Sequence, residues 1–384
     1  MPTLVFRRAL LAALLCAPAA VAAAAPDILD TLLRAAHAAG QFDGVVLVAR
    51  GDDVLYRRAI GSADRITQQA HVPGETWRWM AITQQVTAAL AMQDIEHGRL
   101  RLDDTLATVL PDFGDANLAR VSVRQLLQHS AGLANPDDSA ADTSGVPAFY
   151  RAEGAAASDK AALRYCAGAP KYAPGAKFED NPCDYLVLAA VLERVNGASY
   201  AQLVAKRIAR PLKLASLGVQ SPVRAGIAGR VVGYSAEGLR EATLNTGRYG
   251  AAGALYGTLD DLRRFDGALL DGSLLSKPAT AAMWSGEPTL GNVAFGALVY
   301  SARLPHCAAP VDLVERRSEI GGVRAVNLLA PAQGIALIAF SNTAATELGH
   351  VMQGSGLLHD LLDAAVCEPD PPAAPSKRAT RRKR

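Results

Sequence analysis

Four cysteines, Cys166, Cys183, Cys307 and Cys367, are the residues whose chemistry is simplest to bound. None of them forms a Cys-x-x-Cys pair and no histidine pair lies near them, so the ligand spacing of a zinc site is missing. The sequence has five cysteines, and removing Cys16 with an export signal leaves these four, an even number that reads instead as two disulfides, with buried free thiols as the alternative. His71, His97, His306 and His350 are isolated in the sequence and read as surface residues. Trp77 and Trp79 read as core or cleft wall, and Asp103 and Asp104 as a solvated turn. The chain has no glycine-rich phosphate loop, no internal repeat and no metal-binding signature, so neither a cofactor nor a metal is expected.

Export is itself a reading of the first 25 residues as a signal peptide. Arg7 and Arg8 supply a positive start, and a short apolar run over 9–17 contains Leu10, Leu11, Leu14 and Leu15. Pro18 breaks the run, and residues 21–25 offer small-residue cleavage sites. The run is too short to span a bilayer. Leu15 stands where a lipobox before Cys16 needs a small residue, and two arginines alone are weak evidence for twin-arginine export. The destination expected is the periplasm or the exterior.

Hydrophobic residues make up 50% and charged residues 20% of the 384, an ordinary balance for a globular chain, and enough for one large domain or two intimately packed ones. Net charge is +2, but six basic residues crowd 377–384. The body, 26–367, is left at about −4 by formal count, which excludes a nucleic-acid binder on charge grounds. The tail, 368–384, is proline-rich and then basic, so it is expected to be disordered and to attract anionic envelope polymers or membrane surfaces.

Periodicity supplies the elements. Residues 28–38 carry Ile28, Leu32, Leu33 and Ala36 on one helical face. Two strand-like runs around Gly51 and Asp52 read as a hairpin. A helix over 83–97 ends at Gly98, with Val86, Ala89 and Leu90 at core spacing. "FGALVYSA", "VDLVERR", "GVRAVNLLA" and "GIALIAFSN" read as further strands, and a last helix is expected over about 346–365. The predicted class is α+β: an antiparallel sheet flanked by the terminal helices, with a helical lobe inserted at about 65–245 and a ligand cleft where sheet and lobe meet.

Five segments in order then carry a resemblance. They are "VTAALAMQDIEHGRLRLDDTLATVLPDF", "VSVRQLLQHSAGL", "YAPGAKF", "NGASYAQLVAKRIARPLKL" and "AAGALYGTLDDLRRF". Together they resemble the serine β-lactamase and penicillin-binding protein family, closest to its class C and D-Ala-D-Ala carboxypeptidase-like branch, over about residues 27–365. The resemblance implies a β-lactamase/transpeptidase-like fold and a scaffold role for His129 and Ser130. It also implies three motifs around one cleft. A Ser-x-x-Lys at a helix start supplies the nucleophile and its proton acceptor. A Tyr-x-Asn relays protons, and a Lys- or His-x-Gly strand holds a substrate carboxylate beside a backbone oxyanion hole.

In this chain the positions that resemble those motifs are all altered. "WRWMAITQQVTAAL" puts Ala81 at the serine and Gln84 at the lysine. Asp180-Asn181-Pro182 stands for the tyrosine motif, and Glu319-Ile320-Gly321-Gly322 for the third. Thr83 lies on another helix face from Ala81. The resemblance therefore implies no intact catalytic set. The inherited cleft is expected to bind a small-molecule or peptidoglycan-like ligand through Ala81, Gln84, Asp180, Asn181, Glu319, Gly321, Gly322 and Arg324. The alternative is a rebuilt hydrolase in which Asp180 and Glu319 act as an acid–base pair, or a serine hydrolase by kinship only. If the two carboxylates share one pocket they should reverse its preference toward amines or metal ions, unless Arg324 pairs with Glu319. Cys166 with Cys183 and Cys307 with Cys367 are the pairings expected. The first pair flanks the second-motif loop, and the second joins a hairpin turn to the end of the last helix.

Overall fold

The computed structural model describes residues 25–367, apart from 144, 224–226 and 228. The expected signal peptide, except its final residue, and the basic tail lie outside the described residues. The strands are β1 (Gly44–Arg50), β2 (Asp53–Ile60), β3 (Ser62–Asp64), β4 (Gln69–Ala70), β5 (Trp77–Arg78), β6 (Gly218–Val219), β7 (Leu255–Gly257), β8 (Val293–Ala294), β9 (Ala297–Ala302), β10 (Val311–Ile320), β11 (Val323–Ala330) and β12 (Ile335–Ser341). The α-helices are α1 (Ala25–Ala38), α2 (Thr83–Glu96), α3 (Leu106–Val109), α4 (Val123–Leu127), α5 (Asp159–Cys166), α6 (Pro182–Asn196), α7 (Tyr200–Val204), α8 (Leu259–Asp271), α9 (Lys277–Met283) and α10 (Leu357–Val366).

The main sheet has the order β2-β1-β12-β11-β10-β9-β8, with antiparallel neighbours throughout. The chain between β2 and β8 carries the helices α2–α9 and two small sheets, β3-β4 and β5-β7-β6. Strand β1 reads as a continuous apolar run because both of its faces are covered. Val46 and Val48 pack toward α1 and α10 with Leu29, Leu33, Leu361 and Leu362. Val45 and Leu47 pack the other way, against the helices of the inserted segment, with Ile338 and Phe340 of β12 beside them. One sheet thus separates the two larger cores. Helix α2 lies inside the larger core and is buried nearly all round, which suits its run of alanines.

Both expected disulfides are present, Cys166–Cys183 and Cys307–Cys367, closing 17 and 60 residues of chain. The first ties the end of α5 to the first turn of α6. The second ties the segment before β10 to the end of α10.

Two expectations need correction. The last helix does not begin at 346. A short 3-10 turn occupies Val351–Gln353 and α10 begins only at Leu357, because Gly349, Gly354 and Gly356 sit at φ 71, 70 and 104, which no helix accommodates. His71 is not a surface residue. Its ring is buried, stacked 5.5 Å from Trp77, and its Nδ1 lies 2.8 Å from Glu75.

Candidate functional site

The site forms where the start of α2, the end of α4, the start of α6 and the middle of β10 meet. A 3-10 turn, Met80–Ile82, leads into α2 and carries Ala81. Met80 holds a positive φ of 50, a strained geometry for a non-glycine residue that the surrounding packing must enforce. Gln84, one turn on, is 2% exposed. His129 follows α4, again at a positive φ, 53, and is 1% exposed. Its Nε2 lies 2.9 Å from Gln84 Oε1, and its Nδ1 accepts the backbone N–H of Asn181 at 3.2 Å. With Nδ1 accepting, Nε2 is the nitrogen that donates to Gln84. His129 thus makes hydrogen bonds that fill the space between the positions of the first and second motifs.

Asp180 closes this group. Its carboxylate accepts from Arg316 Nη2 at 2.9 and 3.2 Å and lies 3.4 Å from His129 Nε2. Arg316 is 9% exposed at its side chain, and its Nε donates to the Ala81 carbonyl at 3.3 Å. Burial alone would raise the Asp180 pKa. The Arg316 charge, then His129 and hydrogen bonds from Arg316 and Gln84, outweigh it and bring the pKa down to about 2. Behind them Asp184, on the first turn of α6, is fully buried 3.4 Å from His129 Nδ1. Burial pushes its carboxyl up to about 6, opposed by His129 and reinforced by Asp180 and Glu179.

Asn181 and Pro182 build the helix rather than the cleft. Asn181 caps α6 by accepting the Cys183 N–H at 2.9 Å, and its amide donates to Leu133 and Ala134 carbonyls at 3.0 and 3.3 Å. Pro182 stands in the first turn of α6, where its missing N–H costs nothing.

Glu319 and Arg324 belong to a different place. They face each other across the β10–β11 hairpin and form an ion pair at 3.0 Å. Gly321 and Gly322 are its two-residue turn, both left-handed at φ 58 and 72, as this tight connection requires. A Cβ on Gly322 would come 2.4 Å from the Tyr234 carbonyl oxygen. Glu319 lies three residues beyond Arg316, roughly 10 Å along the strand, and an odd offset puts the two side chains on opposite faces. The side chain of β10 that reaches the Ala81 carbonyl is thus Arg316, three residues before Glu319. Asp180 and Glu319 do not share a pocket as an uncompensated pair, since each has its own arginine.

Beside the hairpin end lies a cavity of about 560 Å³ lined by Tyr150, Tyr249, Glu241, Leu244, Ile320 and Gly321 among others. The two tyrosine rings stack with centroids 4.0 Å apart, and Tyr150 donates to Asp137 at 2.8 Å. Burial pushes both hydroxyls up, so both stay neutral and neither is a proton acceptor at neutral pH. Glu241 is held by Arg78 at 2.6 Å and Arg230 at 2.5 Å. Among the described residues no group of three or more His, Cys, Asp or Glu side chains is arranged to hold a metal ion.

Sequence reasoning missed Arg316, the bridging place of His129, and the Tyr150–Tyr249 stack. For Arg316 a signal existed: Arg316 and Arg317 are consecutive in a strand-like run, "VDLVERR", and so must point to opposite faces of the sheet.

Residues 29–355 match the family described as Beta-lactamase, and the chain belongs to that family. Among curated relatives it is 25% identical over 252 residues to a putative penicillin-binding protein, PbpX, of Bacillus subtilis, covering 64% of this chain and 59% of that one. It is 29% identical over 212 residues to the esterase EstB of Burkholderia gladioli, covering 53% of each. It is 30% identical over 169 residues to a D-aminopeptidase of Brucella ovis, covering 44% of this chain and 31% of that one. The chain thus spans between about a third and three-fifths of these relatives. The fold matches a D-amino acid amidase of Ochrobactrum anthropi, with a TM-score of 0.71 at 18% identity over 88% of this chain and 98% of that one. It also matches a penicillin-binding protein of Bacillus halodurans, with a TM-score of 0.68 at 19% identity over 88% and 97%.

Proposed function

We propose that this protein is an exported member of the beta-lactamase family that does not carry out the family's serine acyl transfer and uses its cleft to bind a cell-wall-derived ligand. The observation that carries the reading is Ala81. It stands at the start of α2 without a nucleophilic side chain, and Arg316 reaches across from β10 to its carbonyl and to Asp180. No hydroxyl stands at Ala81 and no lysine at Gln84 to deprotonate one. Loss of such a unit costs on the order of 10⁴–10⁶ in rate. Export rests on the apolar leader pattern, and two disulfides suit an oxidising compartment. Among the described residues no helix is long and apolar enough to cross a membrane.

The names of the relatives, penicillin-binding proteins and a D-aminopeptidase, favour a ligand containing D-amino acids, such as a muropeptide. The stacked Tyr150 and Tyr249 beside Leu244 and Ile320 offer an apolar wall for its side chains. The rebuilt acid–base reading loses ground. Arg316 keeps Asp180 ionised to about pH 2, and Glu319 is tied to Arg324.

The test is intact-mass analysis after incubation with a reactive penicillin, beside calorimetric titration with purified muropeptides. The expected result is no stoichiometric mass gain together with saturable muropeptide binding. A covalent penicilloyl adduct on any cleft residue overturns the reading.

A further inference from the structure

The helical segment holds a second hollow, of about 300 Å³, apart from the residues described above. Its floor is one stripe of α6, Leu186, Ala189 and Ala190, at i, i+3 and i+4. Two small alanines there leave a space that longer side chains would fill. Gly250 forms part of the wall at a left-handed φ of 46, and a Cβ on it would come 2.6 Å from Leu186 Cδ2. The hollow also reaches Tyr200, whose hydroxyl meets Thr87 of α2 at 2.8 Å.

Two carboxylates stand over this apolar floor. Glu193 continues the α6 stripe, and Asp159 is the first residue of α5. Glu193 accepts the Tyr200 N–H at 2.6 Å. Arg248 is the cation whose field reaches Asp159, but its guanidinium is committed elsewhere. It donates to the carbonyls of Phe149 at 3.0 Å and of Ala157 and Ser158 at 3.2 Å, and it lies over the Phe149 ring. Among the described residues no lysine or arginine lines the hollow. Burial raises both carboxyls, and Asp159 adds its repulsion to Glu193.

We infer that this hollow is a second ligand site, for a compact organic monocation: a primary amine carried on an alkyl or aryl body. The floor takes hydrocarbon and gains from excluding water. The ammonium offers three donors, and the Glu193 and Asp159 carboxylates among the lining residues are the acceptors that match its charge. An anion meets two negative charges here, and a bare metal ion gains nothing from Leu186, Ala189 and Ala190. The volume sits at the small end of ligand pockets, which limits the body to about one ring or a short chain.

Calorimetry on the purified chain with phenethylamine, 2-phenylethanol and phenylacetate tests the assignment, because the three share a body and differ in charge. The amine should bind saturably, the alcohol at least about tenfold more weakly, and the carboxylate not at all. Glu193→Gln should weaken the amine by about fivefold or more, as loss of a charge-assisted contact. Ala190→Leu should block the hollow, and Asp180→Asn in the cleft should leave the affinity for the amine unchanged. No saturable amine binding, equal affinity for amine and alcohol, or amine binding that survives both Glu193→Gln and a folded Ala190→Leu overturns the proposal. Loss of amine binding in Asp180→Asn places the amine in the cleft and overturns it equally.

Discussion

Strand β10 ends two ion pairs in opposite ways. Arg316 is nearly buried, anchored on the Ala81 carbonyl, and shares Asp180 with His129 and Gln84. Arg324 and Glu319 form the same kind of pair at the hairpin end, with side chains 25% and 50% exposed. The chemistry is equal and the surroundings are not. A guanidinium out of water must keep its partner, whereas an exposed pair across a hairpin contributes little. The cleft is therefore organised by a pair whose cation, Arg316, the residue types did not single out.

The largest effect expected from this contrast is on stability. Arg316→Met should cost about 1–2 kcal/mol in urea unfolding, below the 3–5 of a fully buried pair because Asp180 is half exposed. Arg324→Met should fall within about 0.5 kcal/mol. Equal losses at the two ends would break the comparison.

Asp180 also occupies Arg316 as a tethered carboxylate would. Asp180→Asn frees the guanidinium, and affinity for D-alanine-type carboxylates in calorimetry should rise by about tenfold, while Glu319→Gln leaves it flat. A gain at Glu319→Gln instead would move the anion site to the hairpin.

The smallest effects are in pH dependence, where two neighbouring carboxylates have opposite signs. The Asp180 pKa is depressed to about 2, so its contribution is present above its unfolded value near 4 and is lost as pH falls toward 2. The Asp184 pKa is raised to about 6, so its contribution is full below about 4 and is lost as pH rises through 6. Asp184→Asn should flatten the decline between pH 4 and 6, and Asp180→Asn should flatten the acid limb. Unfolding midpoints measured across this range would show an unchanged profile in either variant if the assignment fails.

Much of the fold was legible because local pattern and tertiary role agree. β1 and β12 read as strands from continuous apolar runs, since the sheet is covered on both faces. α2 read as a helix from Val86, Ala89 and Leu90, since these residues line the larger core. The disulfide partners followed from the elements that each cysteine adjoins. Where glycines at positive φ interrupt an apolar pattern, as at Gly354 and Gly356, the pattern overran the helix. His71 looked solitary because its partners, Trp77 and Glu75, surround it only through a local turn.

Residue identity by itself determined that position 81 is an alanine and 84 a glutamine, that four of the five cysteines lie beyond the leader-like segment, and that the body and tail differ in charge. No folding is needed to know that alanine has no nucleophile. Only the tertiary structure decided which strand residue meets Ala81, because a strand turns alternate side chains to opposite faces and a shift of three residues reverses the face. It likewise decided that Asp180 has a cation and that His129 stands between Gln84 and Asp184. These contacts join residues between 45 and 235 positions apart, and local periodicity carries no information over such separations.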